Sequence, residues 1–247
     1  MVTSDASTTG GGRADAADAA GVEGAPARPA AAPERLRGRL DKRRAILDAA
    51  ADVFATQGYE RASVDAIATR SGVSKPTIYN HFGTKDELFR ASIAESAARV
   101  HTESADALLC PERGVDTGES TWRAGLHAIA RDLADCQRSS CAQSLARLIH
   151  AEVVRDPELV DAVHRRAVDP VVDALAGRLA VLANAGRLRL ADPHLAAKQF
   201  MALITAELPE LSRLGTRRVD DAAFASAVAA GVDTFLRAHG AGPEADR

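Results

Sequence analysis

Aromatic side chains are scarce in this chain: one Trp, two Tyr and six Phe among 247 residues. A β-sandwich core draws on aromatic and β-branched residues, so the scarcity, beside abundant alanine, favours close-packed helices. Long apolar runs are missing too. The longest, Phe200–Ala206 and the small-residue run Ala222–Val232, fall short of the roughly 18 residues of a membrane span. Cysteine is limited to Cys110, Cys136 and Cys141, an odd number without metal-ligand spacing. That argues against a disulfide framework and fits a reducing compartment, so a cytoplasmic protein without a metal site is expected. No Ser/His/Asp set, paired carboxylates or phosphate-binding glycine loop occurs. Cys141 and His150, nine residues apart, do not align as a nucleophile–base pair on one helix face. Neither catalytic residues nor a cofactor are expected.

Positive charge is not abundant overall, with a formal net charge of −3, but it is unevenly placed. Residues 36–90 carry ten Lys/Arg against seven Asp/Glu, a modest excess in an otherwise acidic chain. Arg37, Arg39, Lys42, Arg43 and Arg44 form a basic run whose default reading is a solvated arm. The alternative is phosphate or minor-groove contact.

Residues 1–36 are expected to be a disordered tail. They are rich in Ala, Gly, Pro, Ser and Thr, lack apolar periodicity, and bury too little surface to offset their ordering entropy. No apolar h-region follows a basic start, so a secretory signal is not expected. From Leu40 the pattern is helical. Ile46, Ala50, Val53 and Phe54 share one face, and Gly58 stops the helix. Ser63 can cap a second helix, Gly72 supplies a turn, and Ser74 can cap a third with Pro76 in its first turn. Gly83 ends that helix, and Thr84 with Glu87 forms a capping box for a fourth. Further helices are expected at about 120–138, 141–154, from Asp156-Pro157 to near Gly186, from Asp192-Pro193 through Leu208, and at about 220–238. The fold class is therefore all-α.

The stretch from Ser63 to Glu87 carries the chemistry. Ala68, Gly72 and Ile78 sit where a helix-turn-helix needs a small crossing residue, a turn residue tolerant of positive φ and a buried anchor. With Ile78 and Phe82 inward, Lys75, Thr77, Tyr79 and Asn80 are left on other faces of the second helix. A helix of that kind fits a DNA major groove.

Phe54 through Leu88, including Val-Ser-Lys-Pro-Thr-Ile-Tyr-Asn-His-Phe-Gly-Thr-Lys-Asp-Glu-Leu, resembles the DNA-binding domain of TetR-type (TetR/AcrR-like) transcriptional regulators. Gly186-Arg-Leu-Arg-Leu-Ala-Asp-Pro, followed by Ala196-Ala197 and Phe200, more loosely resembles their regulatory halves. The resemblance implies a helix-turn-helix domain over 37–90, with the motif at about 63–83, and a helical ligand-binding and dimerisation domain over 91–240. It implies a homodimer on palindromic double-stranded DNA, repressing until a small-molecule effector binds. Ser63, Lys75, Pro76, Thr77, Tyr79, Asn80, His81 and Lys85 are the implied DNA-binding residues. Lys75, Thr77 and Asn80 would face bases or nearby phosphates, and Tyr79, His81 and Lys85 would hold the backbone. Asn80 stands where many members carry an aromatic residue. Trp122, His127, Cys141, His150 and Met201 each read alone as core or surface, and in this context are ligand-pocket candidates. Leu195, Phe200, Leu203, Ile204, Phe224, Val228 and Phe235 read as a core stripe or, beside the resemblance, as a four-helix dimer interface. An activator with the same DNA-binding end, and a carrier or enzyme with an incidental helix-turn-helix, are the alternatives.

Overall fold

Helix α1 (Ala31–Arg61) turns Ile46, Leu47, Ala50, Val53 and Phe54 inward, as the periodicity requires. The computed structural model describes residues 31–109 and 121–241. Most of the segment expected to be a disordered tail thus lies outside the described residues, but its last part does not. Ala31 and Ala32 are strong helix formers and Pro33 is tolerated in a first turn, so α1 starts before Leu40. The basic residues Arg39, Lys42, Arg43 and Arg44 are consequently exposed on α1 rather than strung along an arm. Gly58, at φ 76 and ψ 162, breaks the helix just before its last turn. Side chains rarely adopt that φ, which is why glycine stands there.

Helices α2 (Val64–Ser71) and α3 (Lys75–Phe82) are joined at Gly72, in the left-handed conformation at φ 69. The Ser63 hydroxyl accepts from the Ala66 amide at 3.1 Å, and the Ser74 hydroxyl accepts from the Thr77 amide at 3.4 Å. Helix α4 (Lys85–Leu109) opens with the reciprocal box: the Glu87 amide donates to Thr84 Oγ1 at 3.1 Å and the Thr84 amide to Glu87 Oε2 at 2.8 Å.

The first hydrophobic cluster joins α1–α4 around Phe54, Ile67, Ile78 and Leu88. The Phe89 ring meets Phe54 and Tyr59 edge-on, each at 4.9 Å. The same cluster takes in Ala142, Leu145 and Leu148 of α6 (Ser140–Glu152) and Val163 of α7 (Pro157–Val163). A boundary at residue 90 therefore divides the chain in sequence but not in its core.

Helix α5 (Trp122–Gln137) precedes α6, and α7 runs through a π turn, His164–Val168, into α8 (Asp169–Asn184). The expected long helix after Pro157 is thus one path with an irregular centre. Helix α9 (Pro193–Thr205) stops before Leu208, because Pro209 cannot continue a helix across residue 205. A short α10 (Leu208–Leu211) follows, then α11 (Asp221–His239). Asp156, Asp192 and Asp220 cap α7, α9 and α11.

The second cluster packs α5, α8, α9 and α11 around Leu133, Leu175, Phe200, Ile204 and Phe235. Phe200, Ile204, Phe224, Val228 and Phe235 thus fill the chain's own core instead of forming a contact between copies. Leu195 alone of that expected set is mostly outside, at 51% exposure. Gly231 brings α11 onto α9: a Cβ there would lie 2.5 Å from the Leu203 carbonyl oxygen. Among the described residues no strand occurs, only one isolated bridge between Leu188 and Gly240, and no helix is long and apolar enough to cross a membrane.

Candidate nucleic-acid interface and cavity

Helix α3 is anchored by two side chains four residues apart. Ile78 (1% exposed) and Phe82 enter the first cluster, which commits one face inward. Lys75, Pro76, Tyr79 and Asn80 are exposed on the rest, with Thr77 and His81 half-buried. Tyr79 is 41% exposed despite its size. The His81 ring lies tilted against Phe82 at 6.0 Å. The Arg43 guanidinium sits 5.5 Å from the centre of the Phe82 ring, so the basic start of α1 lies beside α3.

Several of these groups already have partners. Lys75 Nζ donates to Asp65 Oδ2 of α2 at 2.8 Å. That hydrogen bond, and then the carboxylate charge, raises the Lys75 pKa. The Thr77 and Ser74 hydroxyls are 2.7 Å apart. Lys85 Nζ donates to the Glu60 carbonyl at 3.3 Å and stands 4.6 Å from the centre of the Tyr59 ring. Arg155, from the corner between α6 and α7, lies 4.5 Å from the same ring and pairs with Glu60 at 3.2 Å. Lys85 thus belongs to a junction linking the end of α1 to the later helices. Chemically, α3 is a short polar ridge flanked by cations, of a width that fits a groove of about 12 Å.

A cavity of about 280 Å³ lies behind this unit, walled by Leu145 and Ile149 of α6, Val163 of α7, and Val171 and Val172 of α8. His164, Ala167 and Val168 of the π turn also line it; such turns recur at functional sites. Gln137, Ala142, Ala146, His150 and Met201 are shared with an outer chamber of about 670 Å³ that reaches Arg147, Thr205 and Leu214. Among the described residues no Asp or Glu lines either chamber.

Of the five pocket candidates, His150 and Met201 line these chambers and three do not. Trp122 is 3% exposed in the second cluster, with Arg123 4.4 Å from its ring. His127 faces Asp233 at 3.7 Å. Cys141 is held by Arg99 Nη2 at 3.3 Å and the Ser96 carbonyl at 3.8 Å. Arg99 Nη1 also pairs with Asp48 of α1 at 2.6 Å, so α6 is tied to α1 near both of its ends. Among the described residues no group of three or more His, Cys, Asp or Glu could hold a metal.

The comparisons with known proteins agree with this geometry. The profile "Bacterial regulatory proteins, tetR family" matches residues 46–92, and "AefR-like transcriptional repressor, C-terminal domain" matches residues 124–241. The HTH-type transcriptional repressor Rv1474c of Mycobacterium tuberculosis is 32% identical over 161 residues, 56% of this chain and 82% of that protein. The chain belongs to the TetR family of bacterial transcriptional regulators. The HTH-type transcriptional activator FasR of Mycolicibacterium smegmatis is 49% identical over 53 residues, 22% of this chain. The chain spans only 24% of FasR, and less than half of several other curated relatives. A solved structure from Mesorhizobium loti, described as a TetR-family transcriptional regulator, superposes with a TM-score of 0.68 at 27% identity, covering 82% of this chain and 98% of that one. These similar proteins are regulators rather than enzymes.

Three residues of this TetR-family chain escaped the sequence reading. Asp65 is the partner of Lys75, Arg155 reaches the Tyr59–Lys85 junction, and Arg147 stands at the outer chamber. For Arg147 a signal existed: Gln143, Arg147 and His150 fall at i, i+4 and i+7 and make one polar row on α6.

Proposed function

We propose that the protein is a homodimeric repressor that holds a two-fold symmetric operator through α3 and leaves it when a small molecule fills the cavity. The observation that carries the DNA-binding reading is the exposed set Lys75, Tyr79 and Asn80 on a helix fixed from behind by Ile78 and Phe82. Thr77 and Asn80 face bases, Tyr79 and His81 hold phosphates, and Lys75 and Lys85 add cations at the two ends of the helix. The amide-rich helix starts at Ser63 and Ser74 offer further phosphate contacts. Repression is favoured over activation because the regulatory half resembles that of a named repressor, as does the relative matched over most of its length.

Two copies pair through the outer faces of α9 and α11. Exposed Leu195, Ala202, Ala222 and Ala225 lie on those helices, and the three alanines permit close approach. Two α3 helices then enter successive major grooves about 34–36 Å apart. The protein acts in the cytoplasm, where its operator is, and needs no cofactor. Helix α6 is the link. Its middle walls the cavity, and its ends reach α1 through Cys141–Arg99–Asp48 and through Arg155–Glu60. A ligand shifts the separation of the two α3 helices only by binding one arrangement better than the other.

The test is a nuclease footprint on the DNA upstream of the protein's own coding region. A protected site with two-fold symmetry is expected. Absence of protection there, and on a pool of random duplexes, overturns the reading.

A further inference from the structure

The two chambers are charged in one sense only. Among the described residues no Asp or Glu lines either chamber, whereas Arg147 does. A guanidinium is always protonated and presents five donors. Arg147 is half-buried, and each of its hydrogen bonds goes to a neutral acceptor: Nη1 to the Leu214 and Gly215 carbonyls at 3.3 and 3.2 Å, and Nη2 to Ser144 Oγ at 3.0 Å. Elsewhere on the protein arginines such as Arg70, Arg90, Arg99 and Arg138 pair with carboxylates. Among the described residues no carboxylate pairs with Arg147.

The turn that supplies those carbonyls is itself unusual. Arg213 and Leu214 have φ of 50 and 56, a region that side-chain-bearing residues rarely adopt, and Gly215 follows at 79. Such backbone persists where surrounding contacts enforce it. Here the Leu214 amide donates to the Pro209 carbonyl at 2.7 Å and the Gly215 amide to Ser212 Oγ at 3.0 Å, and α6 closes in from outside: a Cβ on Gly215 would meet Gln143 Oε1 at 2.5 Å and Arg147 Nη1 at 2.6 Å. Leu214, 63% exposed, forms part of the rim. The inner chamber beyond is mainly apolar, with Ser104, Gln137, His150 and His164 as its polar lining.

We infer that the cavity takes an amphipathic organic anion, its apolar body in the inner chamber and its oxyanion head on Arg147, displacing the Leu214 and Gly215 carbonyls. The head is a carboxylate or a phosphate monoester, both of which a guanidinium binds through paired N–H donors. The exchange replaces the guanidinium's hydrogen bonds to two neutral carbonyls with bonds to an acceptor that is itself charged. This rests on the reading of the cavity as the effector site.

The test is calorimetry on the full chain without DNA, using decanoate, decyl phosphate, 1-decanol and decyltrimethylammonium. At least one anion should bind tenfold or more tighter than the alcohol, as a charge-assisted hydrogen bond allows, and the cation should bind worst. Arg147→Gln should remove the preference for the anion while keeping alcohol binding. Arg147→Lys, which keeps the charge but not the fork, should retain part of it. Alcohol binding as tight as both anions, no heat from any probe, or an unchanged preference in a folded Arg147→Gln protein overturns the inference. Operator release is read separately by adding the bound anion to the protein–DNA complex. Binding without release leaves the anion site standing and refutes the effector role.

Discussion

Asp65→Asn should make DNA binding steeper in its salt dependence, because Asp65 neutralises a lysine that the proposed docking turns toward the groove. The Lys75–Asp65 pair is 2.8 Å long with side chains 45% and 70% exposed. A pair so accessible adds little to folding. Asp65 also stands in the first turn of α2, where loss of its charge costs roughly 0.3–1 kcal/mol. The fold should therefore survive. On DNA the change adds one net positive charge beside each recognition helix, and each phosphate neutralised contributes about 0.9 to the slope of log K against log salt. Raising salt from about 50 to about 200 mM should then weaken the variant roughly 3.5-fold more, per recognition helix, than the native protein. Fluorescence anisotropy with a labelled duplex carrying the footprinted site gives the slopes. Lys75→Ala should flatten the slope, and in that background Asp65→Asn should add little, since the two residues act as one unit. Equal steepening with and without Lys75 refutes the argument.

Other perturbations test the scaffold and the clamp. Ile78→Ala should cost about 2–5 kcal/mol, lower the melting temperature and weaken DNA binding together, because one side chain anchors both core and helix; undiminished stability would show that α3 is not seated by Ile78. Gly231→Ala should destabilise by about 1–3 kcal/mol and lower the melting temperature by roughly 2–12 °C, since its Cβ meets the Leu203 backbone. A rise in melting temperature, the usual effect of alanine in a helix, would contradict the close α9–α11 approach. Lys85→Ala should weaken binding to all duplexes and lower the salt slope by about 0.9 per protomer, and an unchanged slope removes Lys85 from the phosphate contacts.

What could be read from sequence follows the range of the forces involved. Ser63, Gly72, Ser74, Thr84 and Glu87 act on their own neighbours, and each cap or turn they announced is present. Asp156, Asp192 and Asp220, each at a helix start, were readable for the same reason. The π turn at His164–Val168 has no such local signature. Nor does the direction in which an apolar stripe points. Phe200, Phe224 and Phe235 have helical spacing whether they face their own core or a second copy, and packing against α5 and α8 decided the matter. The cavity depends on residues far apart in the chain, so of five candidates chosen by residue type only His150 and Met201 line it. Arg147 was overlooked because its partners, Leu214 and Gly215, lie in a turn nearly 70 residues away.

The central claim is that α3 lies in the major groove, and chemical protection of the footprinted duplex tests it most directly. Dimethyl sulfate methylates guanine N7 in the major groove and adenine N3 in the minor groove. The account predicts guanine N7 protection in two clusters about one helical turn apart, one in each half-site, lost in a folded Asn80→Ala, Thr77→Ala double variant. Protection confined to adenine N3, or guanine protection that survives in that variant, would contradict it.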